Sequence, residues 1–393
     1  MINYKIDSYR LIIPILFVIG FVRCQSFGEP IFSKNINCIN PSWSFDSTRT
    51  FTIESLDSKE NKLMIGRVSA DETITLIEVV KRKKVARGKK YKKVREKNGG
   101  WIGLENPGFS SLLMIIGEDK TDREKIQHVL FTDNIDNIKI AKIKDDDDFL
   151  VDTKKKIKLE NLRGQYKCFT TINNEDLFFM NLSDHDLIFR TVITDNEILP
   201  IQGFSSEKDI AITSISSSFD GSKILIVCND RTFSEIYDLE ISLDRNIVIS
   251  KTKIDKPDKD LHFFASIRYP DKNLNNYVLM GSSLEMSKQS LCHIFIMKDK
   301  EILASFDGYF SDADFSHIKR PIGQWDVKRN RFYYLKKGDT GRGGELYYWD
   351  GQAEKKAVTT TLKNIDDFEF SLNSEYLLVT TKTPDAMHIY RAE

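Results

Sequence analysis

Proline and glycine are sparse in this 393-residue chain, at 9 and 20 copies, which excludes long disordered or low-complexity tracts. Cysteine is scarcer still, at 5, and its spacing matches neither a zinc cluster nor a disulfide-dense scaffold. Net charge is absent, because 58 basic residues balance 58 acidic ones. Charge therefore acts only locally. No stretch approaches the run of about 18 apolar residues that a membrane-spanning helix needs. Gly-x-Ser-x-Gly is missing, and with it the strained turn that presents a hydrolase nucleophile. The six histidines, His128, His185, His262, His293, His317 and His388, are scattered without metal-ligand spacing, and His293 and His388 fall in strand-like segments where core packing is expected.

What is present starts with a leader. Lys5 and Arg10 precede the largely apolar run Leu11–Val22, and Val22-Arg23-Cys24 sets up a cut before Gln25. Residues 1–24 thus read as a secretory signal and residues 25–393 as one mature, exported domain. Cleavage leaves 55 basic and 57 acidic residues, and the cysteines Cys38, Cys168, Cys228 and Cys292. In an oxidising compartment these allow zero, one or two disulfides. Cys228 and Cys292 lie in apolar strands, where a buried thiol packs as a small hydrophobe. Asn181-Leu182-Ser183 is the one usable glycosylation sequon, since Pro41 blocks Asn40-Pro41-Ser42.

The stretch Asp209–Ile254 holds four short apolar segments separated by three polar turns. Ile210–Ser216, Lys223–Cys228, Glu235–Ile241 and Ile247–Lys253 predict strands. Asp220-Gly221 tolerates positive φ in the first turn, and Asp244-Arg245-Asn246 carries side chains that bond their own backbone. A second copy lies near the C-terminus, where Phe370–Val379 parallels Ser217–Ile226. Further units follow at about Leu261–Phe306 and Gly323–Thr360, and upstream at Tyr166–Gly203 and Trp101–Ile143. The earliest has Arg49–Glu54, Lys62–Val68 and Thr73–Val80. Second strands such as Ile224-Leu225-Ile226-Val227 and Leu112–Ile116 are continuously apolar, so both faces should be buried, as in stacked sheets rather than a sandwich.

Ile236-Tyr237-Asp238, Tyr348-Trp349-Asp350 and Ile389-Tyr390-Arg391 close third strands in a way that resembles the aromatic-Asp ending of WD-type repeats. The chain is similar, at the level of pattern, to the β-propeller superfamily, WD-repeat or TolB type. That resemblance implies an all-β fold, a single propeller of four-stranded antiparallel blades, seven by this count with six as the alternative. The last unit, Ile365–Arg391, stops after its third strand. Glu29–Ser33 is placed to supply the fourth against Met387–Arg391, closing the ring and covering its open edges.

In this register the long insertions, Lys81–Gly100, Lys144–Arg163, Asp307–Gly323 and Lys336–Glu345, connect second to third strands or blade to blade. An antiparallel blade sends both kinds of connection to one end, which becomes the candidate functional face. Lys81–Lys97 carries eleven basic residues and one acid. Lys81, Arg82, Lys83, Lys84, Arg87, Lys89, Lys90, Lys92, Lys93 and Arg95 form a candidate polyanion site working by counterion release, with an acidic glycosaminoglycan-like chain the fitting ligand for an exported protein. Asp145–Asp148 is an acid run without the Asp-x-Asp-x-Asp-Gly spacing of a calcium loop, and Asp312 and Asp314 add only alternation. Gly338–Gly344 precedes a strand, so it reads as a hairpin loop and not a phosphate cradle. No motif asks for a cofactor, and the metal content stays open. The expected function is that of a secreted, monomeric, non-enzymatic binding protein engaging an extracellular protein or an acidic glycan. The alternative is a calcium-dependent hydrolase of nucleotides or phosphoesters with carboxylates near the central channel.

Overall fold

The computed structural model describes residues 26–43, 49–56 and 60–83, the strands at 112–116, 126–132, 137–144, 151–152, 156–158, 166–172, 176–181 and 188–192, and residues 197–392 except 209, 211, 230–232, 272, 311–322, 340, 342, 360–362 and 372. The expected leader, the bulk of the basic run, the acid run, Asp312 and Asp314 lie outside the described residues. The described chain is almost wholly strand, arranged in successive antiparallel sheets whose strands pair in chain order.

Strand β1 (Ser26–Phe27) and β2 (Phe32–Lys34) come first. The next sheet is β3 (Cys38–Trp43), β4 (Thr50–Leu56), β5 (Glu60–Val68) and β6 (Ile74–Lys83). It is followed by β7 (Leu112–Ile116), β8 (Ile126–Thr132) and β9 (Asn137–Lys144), with β10 (Val151–Asp152) and β11 (Lys156–Lys158) both on β9. Then come β12 (Tyr166–Ile172), β13 (Asp176–Asn181), β14 (Ile188–Val192) and β15 (Glu197–Ile201). The opening repeat forms β16 (Ile212–Ser217), β17 (Lys223–Asn229), β18 (Ser234–Ser242) and β19 (Ile247–Ile254). Next are β20 (His262–Arg268), β21 (Asn276–Ser282), the one-turn helix α1 (Leu284–Lys288), β22 (Leu291–Lys298) and β23 (Glu301–Tyr309). The C-terminal part holds β24 (Gly323–Asp326), β25 (Arg331–Lys337), β26 (Gly344–Trp349), β27 (Glu354–Lys356), β28 (Val358–Thr359), β29 (Ile365–Phe370), β30 (Tyr376–Thr381) and β31 (Ala386–Arg391). Its eight sheet strands are two four-strand groups joined at the single pair Gly344↔Ile365.

The two copies seen in the sequence fold into the same turn. Ser218 N donates to Lys223 O at 2.9 Å, as Ser371 N does to Tyr376 O at 2.9 Å. Each serine hydroxyl donates to the side chain two residues on, Asp220 or Asn373. Gly221 and Ser374 sit at the same step with φ of 67° and 56°. Ser374 is held in that left-handed conformation by its hydroxyl bond to the buried Asp326 carboxylate at 2.8 Å.

Three expectations change. A strand precedes Thr50–Leu56: β3 carries Pro41 across a register shift between Ile39 and Ser42, the kind of irregularity that tolerates a missing N–H. The insertion at Lys144–Arg163 is not one loop, because β10 and β11 add a fourth strand to β9. The chain after Lys144 is therefore a hairpin connection, and antiparallel alternation assigns it to the opposite end from the other insertions. Ile236-Tyr237-Asp238 also lies in the middle of β18, which runs on to Ser242, whereas Tyr348-Trp349 does close β26.

Sheets pack face to face. Leu225, Val227 and Ile236 of one sheet interlock with Phe263, Tyr277 and Leu279 of the next, all 2 % exposed or less. Ile224, Ile226, Tyr237 and Leu239 use the opposite face of the same sheet to meet Ile188 and Ile201. This explains the continuous apolar second strand: β17 has buried residues pointing both ways. Gly66 in β5 has a similar origin, since a Cβ there would lie 2.1 Å from the Phe51 ring. Trp43 and Phe51 pack with Tyr376, Leu378 and Ile389 of the last sheet, and the indole N–H donates to Glu369 O at 2.9 Å.

The N-terminal segment pairs with the last strand, a little downstream of the expected Glu29–Ser33. Phe32, Ser33 and Lys34 lie opposite Ile389, His388 and Met387, and Ile31 N donates to Ile389 O at 2.8 Å. Removing Ser26–Lys34 should lower the melting temperature by several degrees or cause aggregation, as seen by scanning calorimetry with light scattering. Loss of the buried Phe27 side chain alone costs about 3–5 kcal/mol, and β31 is left with an open edge.

Cys38, Cys228 and Cys292 are buried. Burial pushes the Cys38 and Cys292 thiols up to about 12, nearby carboxylates adding to the effect. At pH 8 these three cysteines should escape alkylation in the native protein and react fully once it is unfolded, as read by mass-mapped peptides. Fast native labelling of any one would contradict this burial.

Candidate functional site

Alternation along each sheet sends the second-to-third-strand links and the links between sheets to one end. On the β16–β19 and β20–β23 sheets this end is built in detail. The link after β15 returns through Phe204, whose ring meets Tyr237 edge-on at 5.5 Å. It then reaches Glu207, whose N–H donates to the Tyr237 hydroxyl at 3.0 Å and to Glu235 Oε2 at 3.1 Å. Lys251 Nζ donates to Ser205 O at 2.9 Å. Lys253 Nζ reaches Glu235 at 3.1 Å and also pairs with Glu207.

Glu235 is buried, at 4 % exposure. Burial alone would raise its carboxyl, but hydrogen bonds from Tyr237 and Lys253 outweigh that and hold it below the ordinary range. The Tyr237 hydroxyl goes the other way, pushed up by burial and by the adjacent carboxylate. The network is chemically quiet: a charged carboxylate and a firmly protonated phenol, together fixing a link.

That link presents Lys208, whose Nζ sits 3.5 Å above the Phe233 ring. Phe233, on the link between β17 and β18, is 49 % exposed. Beside it, Ser234 Oγ accepts from Phe263 N at 3.1 Å, and His262 pairs with Ser282. These bonds carry the surface across the seam to α1. Ser283 caps this helical turn by accepting from Met286 N at 3.2 Å, and Glu285 stands in the first turn. Leu284 is 71 % exposed, while Met286 turns inward against the seam. Two large apolar side chains thus stand in water on neighbouring links of the same end.

The residues expected to carry function are only partly placed. Lys81, Arg82 and Lys83 are the last three residues of β6, opposite Lys62, Asn61 and Glu60, so the strand continues three residues into the basic run. Lys84, Arg87, Lys89, Lys90, Lys92, Lys93 and Arg95 lie outside the described residues. Asn181 ends β13 opposite Tyr166. Gly338–Gly344 is a hairpin loop, with Gly338 N donating to Gly343 O at 2.9 Å. Gly343 is required there because a Cβ would lie 2.4 Å from the Asn364 backbone. His293 departs from the expected core role: its ring is about a third exposed and its Nδ1 lies 3.0 Å from Asp307. His388 is partly buried and bonded to Ser33. Among the described residues no group of three or more His, Cys, Asp or Glu side chains is placed to hold a metal ion, and no helix is long and apolar enough to cross a membrane. Phe233 and Leu284 were not foreseen from the sequence. Ser283-Leu284-Glu285, a capping residue and a first-turn acid, is the signal that locates α1.

No protein-family model matches the chain, and no curated protein matches it. Solved structures do. A chain in the crystal structure of the mitotic checkpoint complex is similar over all of this chain and 98% of that one, with a TM-score of 0.53 at 10% identity. Chaetomium thermophilum Raptor matches with a TM-score of 0.55 at 12% identity, covering 94% of this chain but only 29% of Raptor. The Neurospora crassa Pan2 WD40 domain matches with a TM-score of 0.50 at 9% identity, covering 91% of this chain and 89% of that domain. At such identities the likeness concerns fold, and the four-stranded antiparallel sheets, stacked face to face, agree with it: the chain has the β-propeller fold.

Proposed function

We propose that this protein is a secreted, monomeric interaction scaffold of seven blades, which binds a protein partner through the link-bearing end and uses its basic run to attract an acidic glycan. The blades are the sheets beginning at β3, β7, β12, β16, β20 and β24, with β29–β31 completed by β2 into a closed ring. The observation that carries the reading is the pair Phe233 and Leu284, exposed on neighbouring links beside a network that immobilises the link carrying Lys208, which in turn packs on Phe233. Exposed apolar groups on a rigid frame make contact area at little ordering cost. The solved neighbour that is part of an assembly by its title, the mitotic checkpoint complex, fits a binding role. The end of β6 at Lys81–Lys83, which by antiparallel alternation is a link-bearing end, supports placing the basic run there, and export rests on the leader-like first 24 residues.

Two measurements test it. The double variant Phe233→Ser, Leu284→Ser should keep the wild-type melting temperature and lose most partner captured from extracellular fluid, because interface anchors each contribute on the order of 1–2 kcal/mol or more. Capture unchanged by the double substitution would move the binding face elsewhere. On heparin resin, a chain with Lys81–Lys84 and Lys89–Lys93 neutralised should elute at clearly lower salt than wild type. Co-elution would remove the basic run from polyanion binding.

A further inference from the structure

We infer that the outer edge of β31, with the apolar seams on either side of it, is a peptide-accepting site, occupied in cis by Ser26–Lys34 and able to take the same strand in trans. The segment grips the last sheet from both sides. Phe27 is 1 % exposed, set among the apolar residues between the β24–β27 and β29–β31 strands. Its ring centroid lies 6.1 Å from that of Phe370 and 6.3 Å from that of Tyr390. Alongside, Ser26 and Phe27 pair in parallel with Val358 and Thr359. Five residues after Phe27, Phe32 and its neighbour Ile31 pack on the opposite side, against the cluster that holds Trp43, Tyr376, Met387 and Ile389.

Between these anchors the chain is a strap. Gly28 and Glu29 are exposed, and a Cβ at Gly28 would meet nothing within 4 Å. The main chain of the strap is then used as any added strand is used: Ile31 N donates to Ile389 O, and Phe32–Lys34 continue the ladder opposite Met387–Ile389. Ser33 Oγ lies 2.9 Å from His388 Nδ1. Backbone pairing accepts any extended strand, while the two apolar seats select aromatic or large apolar side chains five residues apart.

Two features make the occupant exchangeable. Its pairing strands are only two and three residues long, whereas β30 and β31 pair through six. Short, edge-located elements open at low cost compared with the interior of a sheet. On its C-terminal side the segment is joined to the other described sheets through Asn35-Ile36-Asn37, beyond which β3 begins a different sheet. Ile36 of that link adds to the same apolar cluster, but the contacts of Phe27, Ile31 and Phe32 are made by Ser26–Lys34 itself, so they form whether the strand comes from this chain or another.

The test keeps the whole protein. A full-length variant with a protease recognition sequence in the Asn35–Asn37 link is folded and then cut, and a fluorescent peptide spanning Ser26–Lys34 is added. Anisotropy should rise saturably, the released segment should leave, and the melting temperature should return to that of the uncut protein. A Phe27→Ala peptide should bind at least ~100-fold more weakly, from the usual cost of removing a buried phenylalanine. If the inserted sequence prevents folding, uncut wild type is challenged with the labelled peptide and the same anisotropy rise, by displacement of its own strand, is expected. Failure of the peptide to enter at about 1 mM over several days, ~1000 times the micromolar dissociation constant expected of such strand additions, overturns the inference in either format. Equal binding of the Phe27→Ala peptide overturns it too, since the seat would then not be reading the side chain.

Discussion

The structure depends on how one sheet's open edge meets the next sheet. Each four-stranded unit has an inner strand with unpaired backbone groups, and in a stacked arrangement those groups lie away from water. An unmet buried N–H costs about 1–3 kcal/mol, and each sheet repeats the problem. The solution is visible in β20: Phe263, Ser266 and Arg268 N–H groups donate to the hydroxyls of Ser234, Ser214 and Ser216 of the preceding sheet. Asn229 returns a bond to Phe263 O at 2.6 Å. On β29, Gln324 takes both roles, accepting from Phe370 N at 2.6 Å and donating to Phe370 O at 3.0 Å. Trp43 donates to Glu369 O from the other neighbour. Small hydroxyls and amides between layers of isoleucine, leucine and phenylalanine are what let apolar faces close without stranding the backbone.

Charge is spent in the same seams, and sparingly. Arg268 is buried, and its guanidinium pairs with Asp238 across the β16–β19 and β20–β23 sheets. Arg329 pairs with the buried Asp326 at 2.8 Å and donates to Ala392 O at 3.1 Å, tying the end of the chain to the sheet before it. Such pairs add little net stability, because both ions lose water. Their directionality fixes how one sheet sits on the next, which greasy faces alone leave free to slide. The Glu235–Lys253–Glu207 network does the equivalent for a link, converting a surface connection into a platform for Lys208 and Phe233.

The proposed binding role rests on that rigidity. Burial pushes up the Cys38 and Cys292 thiols and the Tyr333 phenol, and Asp326 and Asp350 are paired with arginine and lysine. Phe233 stands in water beside a link anchored by a polar network, and Leu284 on a capped helical turn. A scaffold with fixed inner strands and variable links binds through its ends, and the outer strands, covered by nothing within their own sheets, provide a second kind of surface where backbone itself is the ligand. The last sheet shows that second surface filled by Phe27 and Phe32 from the far end of the chain.

The strands were legible in the sequence because their signals are local. Alternating and continuous apolar runs set Ile224–Cys228 and Tyr376–Thr380 as buried strands, and Asp220-Gly221 and Asn373-Ser374 marked their turns, since a turn's φ and its side-chain bonds are decided within four residues. The need for a strand beside Met387–Arg391 was legible for a related reason: an edge without a partner is a local deficit, even when its cure lies 355 residues away. The sequence alone missed β3, where Pro41 argues against a strand and only packing of Trp43 on Tyr376 overrules it. It read Lys144–Arg163 as one insertion, because β10 and β11 are too short to have a period and exist only by pairing with β9. It set His293 in the core, although its register on β22, opposite Asp307 of the outer strand β23, leaves its ring partly exposed beside that carboxylate. The platform of Phe233, Lys208 and Leu284, and the seat of Phe27, join residues that share no motif or spacing. Only the stacking of sheets brings them together, because the free energy that places them is buried area between segments far apart in the chain.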